Sequence, residues 1–212
     1  MHTITASGSN LTADYIALAY HNLGGVEVSV FADGEFVKSF TPATGAPVLV
    51  PLRDSRHAPI TADTWKIEFD TEEQVKISVL HLGLMLHTAR PCQYVGHRPI
   101  TMARTAEIAP AKSMSGQYLG GRVVMTGARN QLVIENLRPD YVRSTLKPFF
   151  DHAITGAYFL AWRIDDYPSE VGYGWTNDII VPENQRSNGM MSVSWEFEGV
   201  ADSAITQIGE LT

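Results

Sequence analysis

Cysteine is almost absent from this sequence, because Cys92 is the only one in 212 residues. A single thiol excludes an internal disulfide framework, a CxxC redox pair and a cysteine-rich structural zinc site. Charged residues are also scarce, at 18% of the chain against about 25% in typical globular proteins. Because hydrophobic residues still make up 44%, the composition predicts a globular protein of one or two domains in a reducing compartment.

Long apolar runs and a basic excess are missing as well. No stretch approaches the roughly 18 consecutive apolar residues of a membrane span, and the N-terminal stretch MHTITASGSN lacks the basic and apolar regions of a secretory signal. We therefore expect synthesis in the cytoplasm and no membrane partner. The chain has 16 Lys and Arg against 23 Asp and Glu, a net charge of -7, which disfavours a protein that grips nucleic acid.

Signatures of catalysis and of phosphate binding are also not found. The sequence has no G-x-S-x-G elbow, and no family signature surrounds Cys92, although His97 follows it closely. Gly120-Gly121-Arg122 lacks the Lys-Ser/Thr pair of a phosphate-binding loop and is typical of a bulge or turn before a strand. We therefore expect no enzymatic activity and no cofactor.

Two groups of residues invite a search for a metal site. On one continuous strand, His81 and His87 would be about 20 Å apart, too far for one ion. The loop 164–170 contains Asp165, Asp166 and Glu170, but not the D-x-[DN]-x-[DN]-G order of a calcium loop. A structural role for the histidines and a solvated turn for the carboxylates are favoured, so no metal site is expected.

Short alternating or β-branched runs dominate the first part of the chain. They recur about every 8 to 12 residues between Gly, Pro, Asn and Asp, which is typical of an antiparallel sandwich or barrel. The predicted strands are 15–19, 26–31, 35–40, 48–52, 64–69 and 75–80. Between two of them, Asp33-Gly34 supplies the positive φ angles of a tight hairpin turn.

The pattern changes near residue 88, where we place the boundary between modules 1–88 and 89–212. Pro91 and Pro99 disfavour a continuing interior strand there. Further strands are predicted at 100–104, 122–126, 131–136, 158–164, 171–175 and 190–197. The second module therefore consists of several strands, one helix and three more strands.

The one predicted helix covers about 139–153. Val142, Leu146 and Phe150 belong to a single apolar stripe at the helical period. Pro139 suits the first helical position. Pro148 removes a backbone donor from the helix interior, so we expect it to kink or split the helix.

Charge is distributed unevenly along the chain. Residues 1–88 carry 5 basic and 10 acidic side chains, residues 89–148 carry 9 and 3, and residues 149–212 carry 2 and 10, so their net charges are -5, +6 and -8. Complementary blocks of this kind can fix contacts between copies of one protein. The alternative is that loops on opposite faces simply differ.

Aromatic residues crowd the last third of the chain, which favours a protein interface. The alternative is a core that is rich in aromatic residues. The candidate interface residues are Tyr158, Trp162, Tyr167, Tyr173 and Trp175, together with the basic Arg122 and Arg129.

The segments PFFDHAITGAYFLAWR (148–163), DYP (166–168) and GMMSVSWEFEG (189–199) resemble the C-terminal part of distal tail and minor tail proteins. These proteins belong to long-tailed phages and phage-like gene transfer agents. The resemblance covers residues 89 to 200. It implies a tail-tube-like split β-barrel with one packed helix, assembled as a ring at the tail tip, and it implies no catalytic residue.

The first module resembles a different family. The segments DYIALAYHNL (14–23), TWKIEF (64–69) and VKISVLHLG (75–83) are similar to galactose-binding-like, discoidin-type jelly rolls. Many modules of that type bind sugars. The resemblance therefore implies a glycan as a partner, with Tyr20, His21 and Phe36 as the candidate contacts.

Together these observations predict a mainly β protein, with an N-terminal jelly-roll β-sandwich and a C-terminal tail-tube-like split β-barrel. The expected function is that of a structural virion protein of the phage tail tip. It would form a hexameric ring that joins the tail tube protein to the baseplate hub, with DNA only as cargo passing through the lumen. The alternative is a carbohydrate-binding accessory tail protein that contributes to host attachment.

Overall fold

The structure, a computed structural model, describes residues 1–53, 58–88, 98–185 and 189–201. Cys92 and His97 lie outside these ranges. The protein is mainly β, with one helical region and a curled sheet. The chain divides into two compact units, of which the first is Met1–His87 with Ala161–Val171 and the second is Thr88–Leu160 with Gly172–Thr212.

The first unit contains two antiparallel sheets. The four-stranded sheet has the order β1 (His2–Ala13), β6 (Ile60–Phe69), β3 (Val28–Ala32) and β4 (Glu35–Phe40). The three-stranded sheet has the order β5 (Val48–Pro51), β2 (Tyr15–His21) and β7 (Ile77–Gly83). All of these neighbours pair antiparallel.

One hydrophobic core is shared by the two sheets of the first unit. In β6 the alternate residues Trp65, Ile67 and Phe69 are buried, as expected for a strand with one face toward the core. They belong to one cluster with Ile16 and Leu18 of β2 in the other sheet. Burial of these side chains joins the sheets, since sheet faces are stable only when covered.

The predicted hairpin at Asp33-Gly34 is confirmed. β3 ends at Ala32 and β4 begins at Glu35, and the two turn residues have φ angles of 48° and 86°. Positive φ at both central positions is the geometry of the turn whose twist matches the flanking strands. The Asp33 carboxylate also accepts hydrogen bonds from the backbone N–H groups of Asp63 and Thr64.

The second unit contains one sheet of six strands. Its order is β10 (Tyr158–Ala161), β11 (Val171–Trp175), β13 (Met191–Val200), β9 (Tyr118–Leu137) and β8 (Arg104–Lys112), and β12 (Glu183–Asn184) also pairs with β13. The predicted strands 122–126 and 131–136 are therefore parts of one long strand. Gly127 does not interrupt the strand, because it is paired with β8 and the next residue of β9 is already paired with β13.

Two strand predictions in this unit are wrong at their ends. Residues Ile100–Met102 form a short 3-10 helix, in which the carbonyl of Pro99 accepts the N–H of Met102, and β8 begins only at Arg104. β10 ends at Ala161, and Arg163, two residues later, has a φ of 42° and accepts the backbone N–H groups of Asp166 and Tyr167 in a turn.

The predicted helix is present and is split, as Pro148 requires. It consists of α1 (Pro139–Tyr141), a π-helical segment (Val142–Leu146) and α2 (Lys147–Ala153). Pro148 lies in the first turn of α2, which directly follows the π-helical segment, and Leu146 at the junction is helical, with a φ of -81° and a ψ of -32°. The wider π-helical turn before it therefore accommodates the proline. None of the described helices is both long and apolar enough to cross a membrane.

Candidate self-association surface

Tyr158 lies in the aromatic core of the second unit. Its ring meets those of Phe149 and Phe197 edge to face, at centroid distances of 5.0 and 5.7 Å, and only 7% of the residue is exposed. Its hydroxyl accepts a hydrogen bond from Nε1 of Trp195 at 3.1 Å and lies 2.8 Å from Oγ1 of Thr176. Tyr158 is therefore a core residue and is removed from the candidate interface, because its strand position turns the ring inward.

Burial raises the pKa of the Tyr158 phenol, and its two hydrogen bonds only partly oppose this rise. The folded pKa thus lies above that of the unfolded chain, which is about 10. Its contribution to stability is complete below pH 10 and is lost as the pH rises through the folded value, since the unfolded phenol ionises first.

Tyr158→Phe is expected to lower the free energy of unfolding by about 1–3 kcal/mol at pH 7, because the Trp195 indole and the Thr176 hydroxyl lose their partner. The same variant is expected to show a shallower loss of stability between pH 9 and pH 11. Urea denaturation at several pH values measures both effects. The exposed Tyr167→Phe is the control, and an alkaline decline identical in Tyr158→Phe and wild type would contradict this assignment.

The other aromatic candidates are divided between the two units. Tyr173 and the exposed Trp175 lie in β11, where the centroid of the Tyr173 ring is 4.8 Å from that of Phe159 and the two rings are tilted by 44°. Trp162 and the exposed Tyr167 lie in the segment Ala161–Val171, which belongs to the first unit.

The two basic candidates have different environments. Arg129 forms a two-point ion pair with Glu196 on the neighbouring strand, in which Nη2 donates to Oε2 at 2.7 Å and Nε donates to Oε1. Hydrogen bonding within this pair raises the pKa of Arg129 and lowers that of Glu196. Both side chains are exposed, so the pair adds little stability. Arg122 is exposed and, within the described ranges, forms no ion pair.

Arg122 belongs to an exposed β-ribbon that the sequence patterns did not predict. We call residues 104–123, which comprise β8 and the start of β9, the arm. All nine residues of β8 are exposed. On β9, Tyr118 and Leu119 are 66% and 68% exposed. The arm therefore extends from the sheet with both faces in solvent.

The arm has one apolar face. The register pairs Ile108 with Val123, and Pro110 with Gly121, and the register shift beyond Ala111 pairs Tyr118 with Lys112 on the same side. A Cβ on Gly121 would lie 2.8 Å from the Tyr118 hydroxyl and 2.9 Å from Cγ2 of Ile108, so both side chains lie over this glycine. The Tyr118 side chain thus covers Gly121 beside Ile108. An apolar stripe of this kind on a ribbon in water marks a site of interaction.

The tip of the arm is an ordered turn. The Ser113 N–H donates to the carbonyl of Gln117 at 2.8 Å, and the Gly116 N–H donates to the carbonyl of Ser113 at 2.9 Å. Gly116 has a φ of 83°, which favours glycine. The turn presents Met114 with its side chain in solvent.

The second unit also carries a groove of about 290 Å³, which we call the groove. It is lined by Gln131, Thr176, Asp178, Ile179, Ser194, Trp195 and Glu196. Its floor is fixed by the core, because Thr176 and Trp195 both contact the Tyr158 hydroxyl. Ile179 in the lining and Val181 two residues later are 69% and 62% exposed, so apolar side chains stand in solvent beside the Asp178 carboxylate.

No protein-family model, no curated protein and no solved structure matches this chain. Its function is therefore inferred from its own residues. Among the described residues, no group of three or more His, Cys, Asp and Glu could hold a metal ion.

The arm residues were missed by sequence reasoning because Gly and Pro punctuate them. Gly120-Gly121 does form the predicted bulge, with Gly120 at a φ of 141° and a shift of register beside it. The bulge lies inside β9, however, and not before it. One sequence signal for the arm is the position of Tyr118 just before the pair Gly120-Gly121. At this spacing an aromatic ring can cover the backbone of a strand glycine.

The candidate sugar contacts lie in different sheets of the first unit. Tyr20 is exposed in β2 and Phe36 is exposed in β4. His21 is buried, and Nε2 donates to the carbonyl of Ala46 at 3.0 Å while Nδ1 accepts the N–H of Leu23 at 3.2 Å. His21 is therefore a structural residue that holds a loop, and it is removed from the candidate glycan contacts.

His21 is expected to make the first unit sensitive to acid. Burial lowers its pKa, opposed in part by the hydrogen bond to Ala46. The unfolded chain therefore binds the proton first, and the stability that neutral His21 supplies is lost as the pH falls below about 6.5 and through the folded value. Thermal denaturation at pH 7.5 and pH 5 should show this loss in wild type and a smaller loss in His21→Gln. Equal losses in both proteins would contradict it, and exposed His2→Gln is the control.

Proposed function

We propose that this protein is a non-enzymatic structural protein of the phage tail tip, which assembles into a hexameric ring between the tail tube protein and the baseplate hub. The observation that carries the proposal is the exposed apolar face of the arm. A second surface that covers Ile108, Tyr118 and Val123 would remove these apolar side chains from water, and further copies of the chain can supply that surface.

The finer fold belongs to the same proposal. The first unit is proposed to be a galactose-binding-like jelly roll, supported by its seven strands in two sheets around one core. The second is proposed to be a tail-tube-like split barrel, supported by its curled six-stranded sheet and single helical region. An experimental structure of the assembled protein tests both.

The charge distribution supports a role around DNA without tight binding. Residues 149–212 have a net charge of -8, and Glu183 and Glu198 in this block belong to the second unit. A ring with this block on its lumen would repel DNA phosphate weakly and let it pass as cargo. Mapping of the basic block 89–148 to the lumen would contradict this part.

The proposed function is tested on the purified full chain and on virions. Mass photometry and negative-stain images are expected to show rings, and antibody labelling is expected to mark the tail tip. Protein that stays monomeric under all conditions and is absent from labelled tail tips would overturn the proposal.

A second candidate function is carbohydrate binding by the first unit, and one observation favours it. On the outer face of the four-stranded sheet, Phe36 is 61% exposed and meets Phe31 edge to face at 5.8 Å, while the Lys66 ammonium lies 4.7 Å from the centre of the Phe31 ring. Aromatic faces with adjacent polar groups can hold a sugar ring through its C–H surface and its hydroxyls.

A glycan array tests this second candidate. Binding that Phe36→Ala abolishes and Tyr20→Ala preserves would place a sugar on the Phe31–Phe36 face. Absence of any glycan ligand for the full chain would remove the candidate.

A further inference from the structure

The geometry points to a head-to-tail contact in which the arm of one copy docks on the groove of the next copy. The inference deepens the proposed function and rests on it, because it takes self-assembly as given and names the two surfaces that meet. Each copy would use its arm once and its groove once. Contacts of this heterologous kind close into rings when the rotation between copies permits.

The arm and the groove of one chain lie far apart along one strand. Leu119 near the tip and Gln131 in the groove belong to β9 and are separated by about 40 Å of strand at 3.3 Å per residue. This interval of β9 is paired with β8 toward the tip and with β13 toward the groove. Because pairing keeps the interval extended, the arm of a second copy is the occupant that we propose for the groove.

The two surfaces match in chemistry. The arm offers the apolar Ile108, Tyr118 and Val123 with Lys112 at the outer end of the same face, because Lys112 pairs with Tyr118. The groove offers Ile179 and the carboxylate of Asp178 in a lining that is otherwise mostly polar. The match therefore consists of one apolar contact, at Ile179, and one contact between opposite charges, at Asp178.

The arm is also ordered before it docks. Its tip turn is fixed by the hydrogen bonds of Ser113, Gly116 and Gln117, and its register is fixed by pairing with β8. An ordered ribbon loses little conformational freedom on docking, so more of the contact energy appears as affinity.

The test uses two full-length variants, each defective in one surface. Tyr118→Asp disables the arm and leaves the groove intact, and Ile179→Asp disables the groove and leaves the arm intact. Each variant alone is expected to self-associate at least about tenfold more weakly than wild type, because each substitution lies at the centre of the proposed contact. An equimolar mixture is expected to form a 1:1 heterodimer in analytical ultracentrifugation, because one intact arm still meets one intact groove.

The outcomes separate this contact from the general proposal. If either variant assembles as well as wild type does, the arm-to-groove contact is overturned and the proposed tail-tip function is not affected. Variants that fail alone and also fail to pair in the mixture would overturn it too, in favour of a symmetric contact between two arms or two grooves. A wild-type chain that stays monomeric and is absent from tail tips would overturn the proposed function itself.

Two controls make the result specific. Ile154→Asp changes another exposed apolar residue of the second unit, outside both surfaces, and this variant is expected to assemble as wild type does. Lys112→Glu and Asp178→Lys are each expected to weaken assembly, and the double variant is expected to recover part of the loss. Circular dichroism of every variant confirms that the fold is retained, and a double variant no better than the singles would show that these two charges do not meet.

Discussion

Trp65→Ala is expected to lower the free energy of unfolding of the first unit by about 4 kcal/mol, the range of large aromatic truncations in cores. Trp65 is completely buried in β6. Its register partners are Ala6 on β1 and Ala32 on β3, which are both small, so few neighbouring atoms could move in to fill the space. The loss is large beside a typical total stability of about 5–15 kcal/mol.

The same indole also holds the first strand in place. Its Nε1 donates to the carbonyl of Leu11 at 3.0 Å, directly after the irregular step in register between Ser7 and Leu11. Trp65→Phe keeps most of the apolar volume and removes this bond, so it is expected to cost less than half as much. Equal losses in the two variants, measured by urea denaturation, would contradict the assignment of the larger effect to packing.

Gly174→Ala is expected to destabilise the second unit by about 3 kcal/mol, at the upper end of overpacking effects. Gly174 on β11 pairs with Gly199 on β13, and a Cβ on Gly174 would collide with the carbonyl oxygen of Glu198 and lie 2.8 Å from the Cα of Gly199. The obstacle is backbone on a paired strand, so no side-chain rotation can relieve the clash.

Gly83→Ala is the matched control for this prediction. Gly83 is also a strand glycine, but its Cβ would meet only the ring of Tyr15 at 3.9 Å, an ordinary contact. It is therefore expected to change stability by less than about 1 kcal/mol. If both glycine variants unfold at the same urea concentration, close strand approach does not explain the glycine at 174.

The sequence pattern predicted correctly those strands and helices whose ends depend on residues close to them in the sequence. The bounds of β4 and β11 agree with the predicted strands 35–40 and 171–175. Gly34 lies in the hairpin turn directly before β4, and Gly174 lies within the short aromatic run that forms β11. The helix follows from the stripe of Val142, Leu146 and Phe150, all present on one helical face, and its division follows from Pro148.

Two strands could not be predicted from local sequence, because each forms only through pairing with another segment of the chain. β1 consists largely of small residues, so its alternation of Thr and Ser with Ile4, Ala6 and Gly8 is a weak signal, and it is a strand because β6, about sixty residues later, offers it a free edge. β8 is a strand because β9 pairs with it, although Pro110 and its exposed residues give no local signal. Local sequence also does not determine which way a single aromatic side chain points, and for this reason the expectation that Tyr158 lies at an interface is wrong.

The length of β9 has a mechanical consequence. At 3.3 Å per residue its 20 residues span about 66 Å, and one backbone runs without a break from the tip of the arm into the centre of the sheet. A load on the tip along the strand would act on the hydrogen bonds to β8 and β13 in parallel, as shear, and no single bond would bear it alone. The Arg129–Glu196 pair lies where the ribbon joins the sheet, among the first residues of β9 that pair with β13.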